Sequence, residues 1–518
     1  MTGMVGRALR MMAGTLTSRI LGLLREILTA SLFGATHSLD AFYVSYTLAN
    51  LSRQLLAEGA LSASFVPVFS RVHKRAGGTG EKESLLLARQ VLSVLLVACT
   101  LVVLIGIALS PLLVRLIAPG FDAEQNALAV RLTRALFPFL LLVSVGALAM
   151  GVLNSVGSFF VPAIAPAASN LAFIIILLAS GRNSSMWTLV TAVLAGGACS
   201  AALQWAWSAR LGYALIPARP QRGNPELRET LTLFLPYAAG LSLNQVNPVI
   251  SRMLASFLEG GVISVLNYAD RIIQLPLGLF VIAISQAVLP MLSRIEREDC
   301  EEFAGFIRDA LRFNLFIVLP AAIGLVLLAR PIVHLLLVRG AFDAWAWEAT
   351  SGALACYAVG LPGIACNTVL MRALYARSMP RAAVKVTAFT VCTNLALGVL
   401  LMHFFSYRGL AVGTSLAFTA AAFLGAFLLS RDLGQRIGLL SPRWLAKLIV
   451  ACFLYAAGVR TIAVKIAYST AADFSIRALW VAGVVIAGVL LYTLLTTLLR
   501  FSEWSWIKGA LRRRNKSS

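Results

Sequence analysis

Long apolar runs, repeated from one end of the chain to the other, constrain this sequence more than anything else in it. Fourteen can be drawn, at 13–35, 41–69, 90–113, 128–153, 160–181, 186–209, 230–257, 262–292, 312–337, 346–371, 384–404, 408–430, 444–464 and 476–499. Each supplies the roughly 20 residues a helix needs to cross the hydrocarbon core of a bilayer. No water reaches a backbone amide there, so a spanning segment must satisfy its own hydrogen bonds, and continuous runs of this length do so as helices. With 59% hydrophobic and 13% charged residues over 518 positions, no soluble class fits. The sequence predicts an all-α polytopic membrane protein with about 14 transmembrane helices.

Charge tests that count independently. The formal net charge is +22, which by itself suggests nucleic acid. Its distribution argues otherwise. With both termini placed inside, the inner segments hold 29 of the 44 Lys and Arg and the outer loops hold eight. An asymmetry of that size is what the positive-inside rule produces, and an odd number of spans would scramble it. The charge therefore reads as topology and contact with anionic membrane lipids, with no nucleic-acid partner. Arg7 and Arg10 precede the first run as in a signal peptide, but Arg19 and Arg25 interrupt that run and it continues to Phe33, so it reads as a retained helix.

The chain also repeats itself. Ala60-Leu61-Ser62 leads to Pro67, Ser70 and Arg71, and Ala283-Ile284-Ser285 leads to Pro290, Ser293 and Arg294 with the same spacing. Ser110-Pro111 running to Phe121-Asp122 is echoed by Arg330-Pro331 running to Phe342-Asp343. Two echoes in one order, separated by an even number of spans, point to a duplicated six-helix unit in parallel orientation. The expected organisation is an N-lobe at 1–225 (helices 1–6), a C-lobe at 226–436 (helices 7–12), and a third part at 437–518 with helices 13 and 14 and a basic tail.

Seven arginines lie inside or at the edges of the apolar runs. A charge near the bilayer centre costs about 2.5–3.5 kcal/mol on insertion scales, so it rarely persists without a task. Arg19 and Arg25 are in the first run, Arg53 in the second and Arg271 in the eighth. At about 1.5 Å per residue, Arg25 sits roughly 18 Å from the inner end of its run and Arg53 roughly 20 Å from the outer end of its own. The nearby acids are Glu26, Asp40, Glu58 and Asp270; Glu26 is seven residues from Arg19 and shares its helix face. Cations outnumber acids at the central depth, and a guanidinium fork suits phosphate oxygens. These residues predict a transporter for something negatively charged. The alternative is a set of internal ion pairs that lock helices 1, 2 and 8 together.

Other signals carry little. The seven Cys form no CxxC pair, the four His show no ligand spacing, and no metal or cofactor site is expected. Gly77-Gly78-Thr79-Gly80-Glu81-Lys82 lacks the spacing of a phosphate loop. With no nucleophile elbow or ATP motif, the chain reads as a non-enzyme. Pro67, Pro162, Pro166, Pro236, Pro248, Pro276, Pro290 and Pro362 punctuate the spans as kinks or hinges.

Five ordered motifs carry a resemblance. They are Ser18-Arg19-Ile20-Leu21-Gly22-Leu23-Leu24-Arg25-Glu26; Asp40-Ala41-Phe42; Asn50 through Arg53 to Ala57-Glu58-Gly59-Ala60 and Phe65-Val66-Pro67; Ala118-Pro119-Gly120-Phe121; and Tyr268-Ala269-Asp270-Arg271. Asn154 to Pro162, Pro166 and Asn170 add to them. Here the chain resembles the bacterial MurJ/MviN lipid II flippases of the multidrug/oligosaccharidyl-lipid/polysaccharide exporter superfamily. The resemblance implies that Arg25, Arg53 and Arg271, with Arg19, bind substrate, and that Asp40, Glu58 and Asp270 match acidic positions. It implies a two-lobed fold in which helices 13 and 14 make a groove for a polyprenyl tail. Glu26 stands where Asp is common, Gln54 replaces a second basic residue, and Gln274 stands where an acid can occur. Some members bind sodium through acids in helices 7 and 11, but 230–257 and 384–404 hold no carboxylate, so sodium coupling is not expected.

The expected function is outward flipping of lipid II, the undecaprenyl-pyrophosphate-linked peptidoglycan precursor, across the bacterial inner membrane by alternating access. The expected partners are lipid II, anionic lipids and the peptidoglycan synthesis machinery. Two rivals stay open: export of a drug or another polyprenyl-linked oligosaccharide by the same superfamily, and a non-transporting lipid-binding scaffold for wall synthesis.

Overall fold

The computed structural model describes residues 2–54, 61–75, 79–221, 223–293, 295–296, 298–435, 437 and 441–504. Within these, the side chains of 2–16, 79, 235, 238–244, 283, 286, 287, 289 and 290 stand outside the description. Glu58 and the last fourteen residues therefore lie outside it too.

Among the described residues every regular element is helical. In chain order they are α1 (Thr2–Phe33), α2 (His37–Ser52), α3 (Leu61–His73), α4 (Thr79–Ile117), α5 (Ala123–Leu136), α6 (Phe139–Ser155), α7 (Phe160–Ser180), α8 (Met186–Arg210) and α9 (Pro225–Ala255). There follow α10 (Val262–Pro276), α11 (Ala283–Leu292), α12 (Cys300–Leu327), α13 (Ala329–Leu337), α14 (Ala344–Ala376), α15 (Pro380–Asp432), α16 (Pro442–Lys465) and α17 (Phe474–Leu498). Ten helical stretches among the described residues are long and apolar enough to cross a membrane. One of them, α15, contains two of the apolar runs, joined at Ser406, whose φ of 50° breaks the helix where an outer loop was expected.

Two runs read from the sequence as continuous spans pass through π-helical turns. The second changes from α2 to a π-helical turn at Arg53 and Gln54, and the Arg53 amide reaches both the Ala49 and the Asn50 carbonyls. The eighth changes from α10 to a π-helical stretch over Leu277–Ile282, directly after Pro276. Pro276 has no amide to donate, so the ladder must loosen there. Such π turns recur at functional sites because they re-aim side chains without ending the helix.

Contacts divide the chain into two compact units: residues 1–264 with Arg339–Phe342, and Val265–Val338 with Asp343–Ser518. The core of the first joins α3, α4 and α6 through Phe65, Phe69, Leu87, Leu92, Phe137 and Leu148. In the second, Phe303, Ile307, Leu370, Leu374 and Val386 bind α12 to α14 and α15. Gly360 and Gly363 of α14 let it lie against α15 so closely that a Cβ would come 2.6 Å from Ser415 Cα and 2.8 Å from Thr419 Cα. Helices in lipid gain from such close backbone approach at small residues.

The sequence echo has a structural counterpart. Asp122 caps α5 by accepting from Gln125 N at 2.7 Å, and Asp343 caps α14 by accepting from Ala346 N at 2.8 Å. Both sit in extended backbone just before the helix, as an N-cap carboxylate does.

Candidate substrate site

Arg25 lies on α1 with its side chain 17% exposed. Its Nη2 donates to Glu26 Oε1 at 2.8 Å, its Nη1 donates to Asn170 Oδ1 at 3.3 Å, and its guanidinium lies 5.1 Å from the centre of the Phe173 ring. Glu26 is buried, and its second oxygen accepts from Tyr43 Oη at 2.9 Å. Asn170 Nδ2 donates to the Ser18 carbonyl at 3.1 Å, which fixes the amide so that its oxygen faces Arg25. Three helices, α1, α2 and α7, thus hold one cation. Glu26 serves Arg25 and Tyr43, although its sequence spacing placed it on the face of Arg19. Arg19 itself is half-buried on α1.

Arg53, half-buried in the π-helical turn after α2, donates from Nε to Asn50 Oδ1 at 2.8 Å. In the second unit, Arg271 of α10 donates from Nη1 to Gln274 Oε1 at 3.4 Å, while Gln274 Nε2 donates to Asp270 Oδ2 at 2.6 Å. Gln274 therefore bridges the acid and the arginine. The three central arginines share one feature: each donates to a carboxamide oxygen. A carboxamide satisfies a guanidinium nitrogen without cancelling its charge, and a guanidinium bonds a neutral oxygen less strongly than an anionic one. An incoming phosphate oxygen can displace it.

Asp40 does something different. It is buried, accepts from Gly261 N and Ser264 N at 2.7 Å each, and from Ser264 Oγ at 2.6 Å. It caps the N-terminus of α10, where exposed amides and the helix dipole favour a carboxylate. Close by in sequence, Ala341 N donates to the Ser31 carbonyl at 2.8 Å, and Gly34, with φ of 64°, packs against Ala341 where a side chain would clash. Of the residues singled out from sequence, Arg25 with Glu26 and Arg271 with Asp270 form connected groups. Arg19, Arg25 and Arg53 belong to the first compact unit and Arg271 to the second. Tyr43 and Phe173 were missed; a Tyr and a Phe in apolar runs carry no sign that they face a charge.

A family model described as Lipid II flippase MurJ matches residues 29–481. A protein of Rhizobium tropici named "Probable lipid II flippase MurJ" is 36% identical over 412 residues, 78% of this chain and 76% of its own. The chain belongs to the lipid II flippase MurJ family. Another MurJ relative, from Burkholderia cenocepacia, is 32% identical over 449 residues, 85% of this chain and 86% of its own. The fold agrees: a solved structure titled "Lipid II flippase MurJ, inward closed conformation" superposes with a TM-score of 0.77 at 24% identity, over 94% of this chain and 98% of that one. A solved structure titled as an inward-facing multidrug resistance MATE family transporter of the MOP superfamily scores 0.66 at 16% identity, over 80% of this chain and 94% of its own. As a member of the MurJ family the chain is a helical multi-pass membrane protein of a transporter family and not an enzyme.

Proposed function

We propose that this chain moves lipid II from the inner to the outer leaflet of the bacterial inner membrane by alternating access, with Arg19, Arg25, Arg53 and Arg271 gripping the pyrophosphate headgroup. The observation that carries the reading is the carboxamide partner on each of Arg25, Arg53 and Arg271. A cation-exporting site of the same superfamily needs acids in excess; here the candidate residues are led by four arginines, of which Arg25 pairs with Glu26. Asp270 reaches Arg271 through Gln274. Fourteen spans, the repeat-based lobes 1–225 and 226–436, and a tail groove on α16 and α17 complete the proposal.

Both termini are placed inside. Cysteine introduced at Thr470, between α16 and α17, is expected to react with a membrane-impermeant maleimide in intact cells, and cysteine at Glu298, before α12, is expected to react only after lysis. Reaction of both in intact cells overturns the orientation.

Transport is expected to draw on the membrane potential. Each charge crossing outward from a negative interior gains about 2.3 kcal/mol per 100 mV, so two pyrophosphate charges gain at most about 4–5 kcal/mol. That shifts an equilibrium by about three orders of magnitude. In cells depleted of the chain, lipid-linked precursor should accumulate on the inner leaflet. In replenished cells, its outward movement should stop when an ionophore collapses the potential and continue when choline replaces sodium. Loss only in the sodium-free cells refutes the potential-driven scheme, and no inner-leaflet accumulation refutes the flippase reading.

A further inference from the structure

A second basic feature lies apart from the central arginines, in the second compact unit. A cavity of about 620 Å³ opens between the start and the end of α15, lined by Ser378, Pro380, Arg381, Lys385, Arg431 and Asp432 among others. Arg381, Lys385 and Arg431 are exposed, and none of them makes an ion pair among the described residues. The one acid on the wall, Asp432, is already held by Arg377, whose Nε donates to it at 3.0 Å; Arg377 in turn lies over the Phe303 ring at 5.3 Å. The cavity therefore keeps three uncompensated cations. The first-turn amides of Arg381 and Ala382 add donors without helical acceptors, because α15 opens at Pro380.

The apolar surface next to the cavity says what kind of molecule brings the anion. Arg381, Lys385 and Phe389 follow one another at four-residue spacing, as do Phe423, Phe427 and Arg431. Residues four apart share a helix face. Phe389 is 40% exposed, Phe423 66% and Phe427 62%. On both arms of α15 the face thus runs from cation to exposed phenylalanine over about 12 Å of helix. An amphiphile with a phosphate at the membrane surface and acyl chains beneath it has the same order of chemistry. Basic pockets between transmembrane helices on the inner side bind anionic headgroups in this way.

We propose that this cavity is a binding site for a phosphate group, supplied by an anionic glycerophospholipid of the inner leaflet. The proposal rests on the inner placement of this end of the second unit, and it does not involve the central arginines. The test uses the full-length protein purified in detergent, titrated calorimetrically with dioctanoyl phosphatidylglycerol, dioctanoyl phosphatidylcholine and inorganic phosphate. The cavity variant is Arg381→Gln/Lys385→Gln/Arg431→Gln. The control, Arg308→Gln/Arg443→Gln/Lys447→Gln, removes three exposed cations that do not line the cavity.

Phosphatidylglycerol is expected to bind at least tenfold more tightly than phosphatidylcholine. The cavity variant should lose at least tenfold in that affinity and the control less than twofold. Lys385→Gln alone should give a partial loss, which keeps the test readable if the triple variant melts early. Saturable binding of inorganic phosphate with the same dependence on the cavity residues supports a phosphate site but assigns its source to solution. Equal affinity for the two lipids, or a cavity variant that binds phosphatidylglycerol as the wild type does, overturns the proposal. Failure here leaves lipid II flipping untouched, because the cavity variant retains Arg25, Arg53 and Arg271; failure of the flipping assay leaves the phosphatidylglycerol titration unchanged.

Discussion

Arg25→Ala, Arg53→Ala and Arg271→Ala are each expected to abolish growth support in a bacterium depleted of its own lipid II flippase, with the protein still inserted at near wild-type abundance. The magnitude follows from the chemistry of the grip. A guanidinium that exchanges a carboxamide for a phosphate gains an ionised acceptor opposite its ionised donor, and hydrogen bonds to charged groups contribute about 1.5–3 kcal/mol each. Two such bonds per arginine correspond to roughly 10²–10⁴ in substrate affinity. The structural loss is smaller. Arg25 stands between Glu26, Asn170 and Phe173, and removing it leaves Glu26 with the Tyr43 hydroxyl. Arg53 and Arg271 make their carboxamide bonds to residues on the same stretch of helix, Asn50 and Gln274, so little tertiary structure hangs on those bonds.

The same variants separate a substrate grip from a set of ion pairs that only hold helices together. If the arginines serve as locks, Glu26→Gln and Tyr43→Phe should damage growth as much as Arg25→Ala. If they serve as a grip, those two variants should be milder, because the cation survives them. Arg25→Lys should fail nearly as badly as alanine, since an ammonium carries the charge without the fork. Growth with any two of the three alanine variants would rule out the anion site.

Much of the fold was legible because lipid enforces it. A backbone that must satisfy itself leaves apolar length as a sufficient signal, and each run corresponds to helix in the described residues. The echo ending at Phe121-Asp122 and Phe342-Asp343 was legible for a local reason: an N-cap needs its carboxylate one residue before the helix. The partners were not legible. Asn170 lies 145 residues from Arg25, and a helix that is apolar on all sides gives no phase from which to tell its inner face. The π-helical turns at Arg53 and at Leu277–Ile282 were invisible too, since hydropathy does not change across them. Asp40 shows the limit of reading charge by type. It was grouped with acids that balance arginines, and its described partners are the amides of Gly261 and Ser264 and the Ser264 hydroxyl. Carboxylates serve cations and helix N-termini alike, and only the tertiary fold decides which one is near.

Truncation before α16, ending the chain near residue 436, is expected to leave a membrane-inserted core that no longer supports growth. The repeat read from the sequence ends near there, so on that reading α16 and α17 are an addition that the six-helix unit does not need. Their attachment is nevertheless specific. Tyr492 Oη donates to the Phe316 carbonyl at 2.8 Å, Trp444 Nε1 donates to Glu503 Oε1 at 2.7 Å, and Arg312 lies 3.3 Å from that same oxygen and 5.2 Å from the Trp444 ring centre. Phe316, Leu448, Tyr455 and Val459 bury the contact against α12. Glu503 is fully buried, and its contacts with Arg312 and Trp444 fix where the segment after α17 sits. A pair of helices held this firmly against one side of α12 suits a fixed surface for a long polyprenyl chain, which must stay in lipid while its headgroup crosses. Arg312→Gln in the full-length chain isolates that role from folding of the rest. It should lower thermal stability through the unpaired Glu503 and reduce growth support more than flipping of a short-chain lipid II analogue. If the truncated chain complements as the full one does, α16 and α17 carry no tail, and the groove must be sought elsewhere.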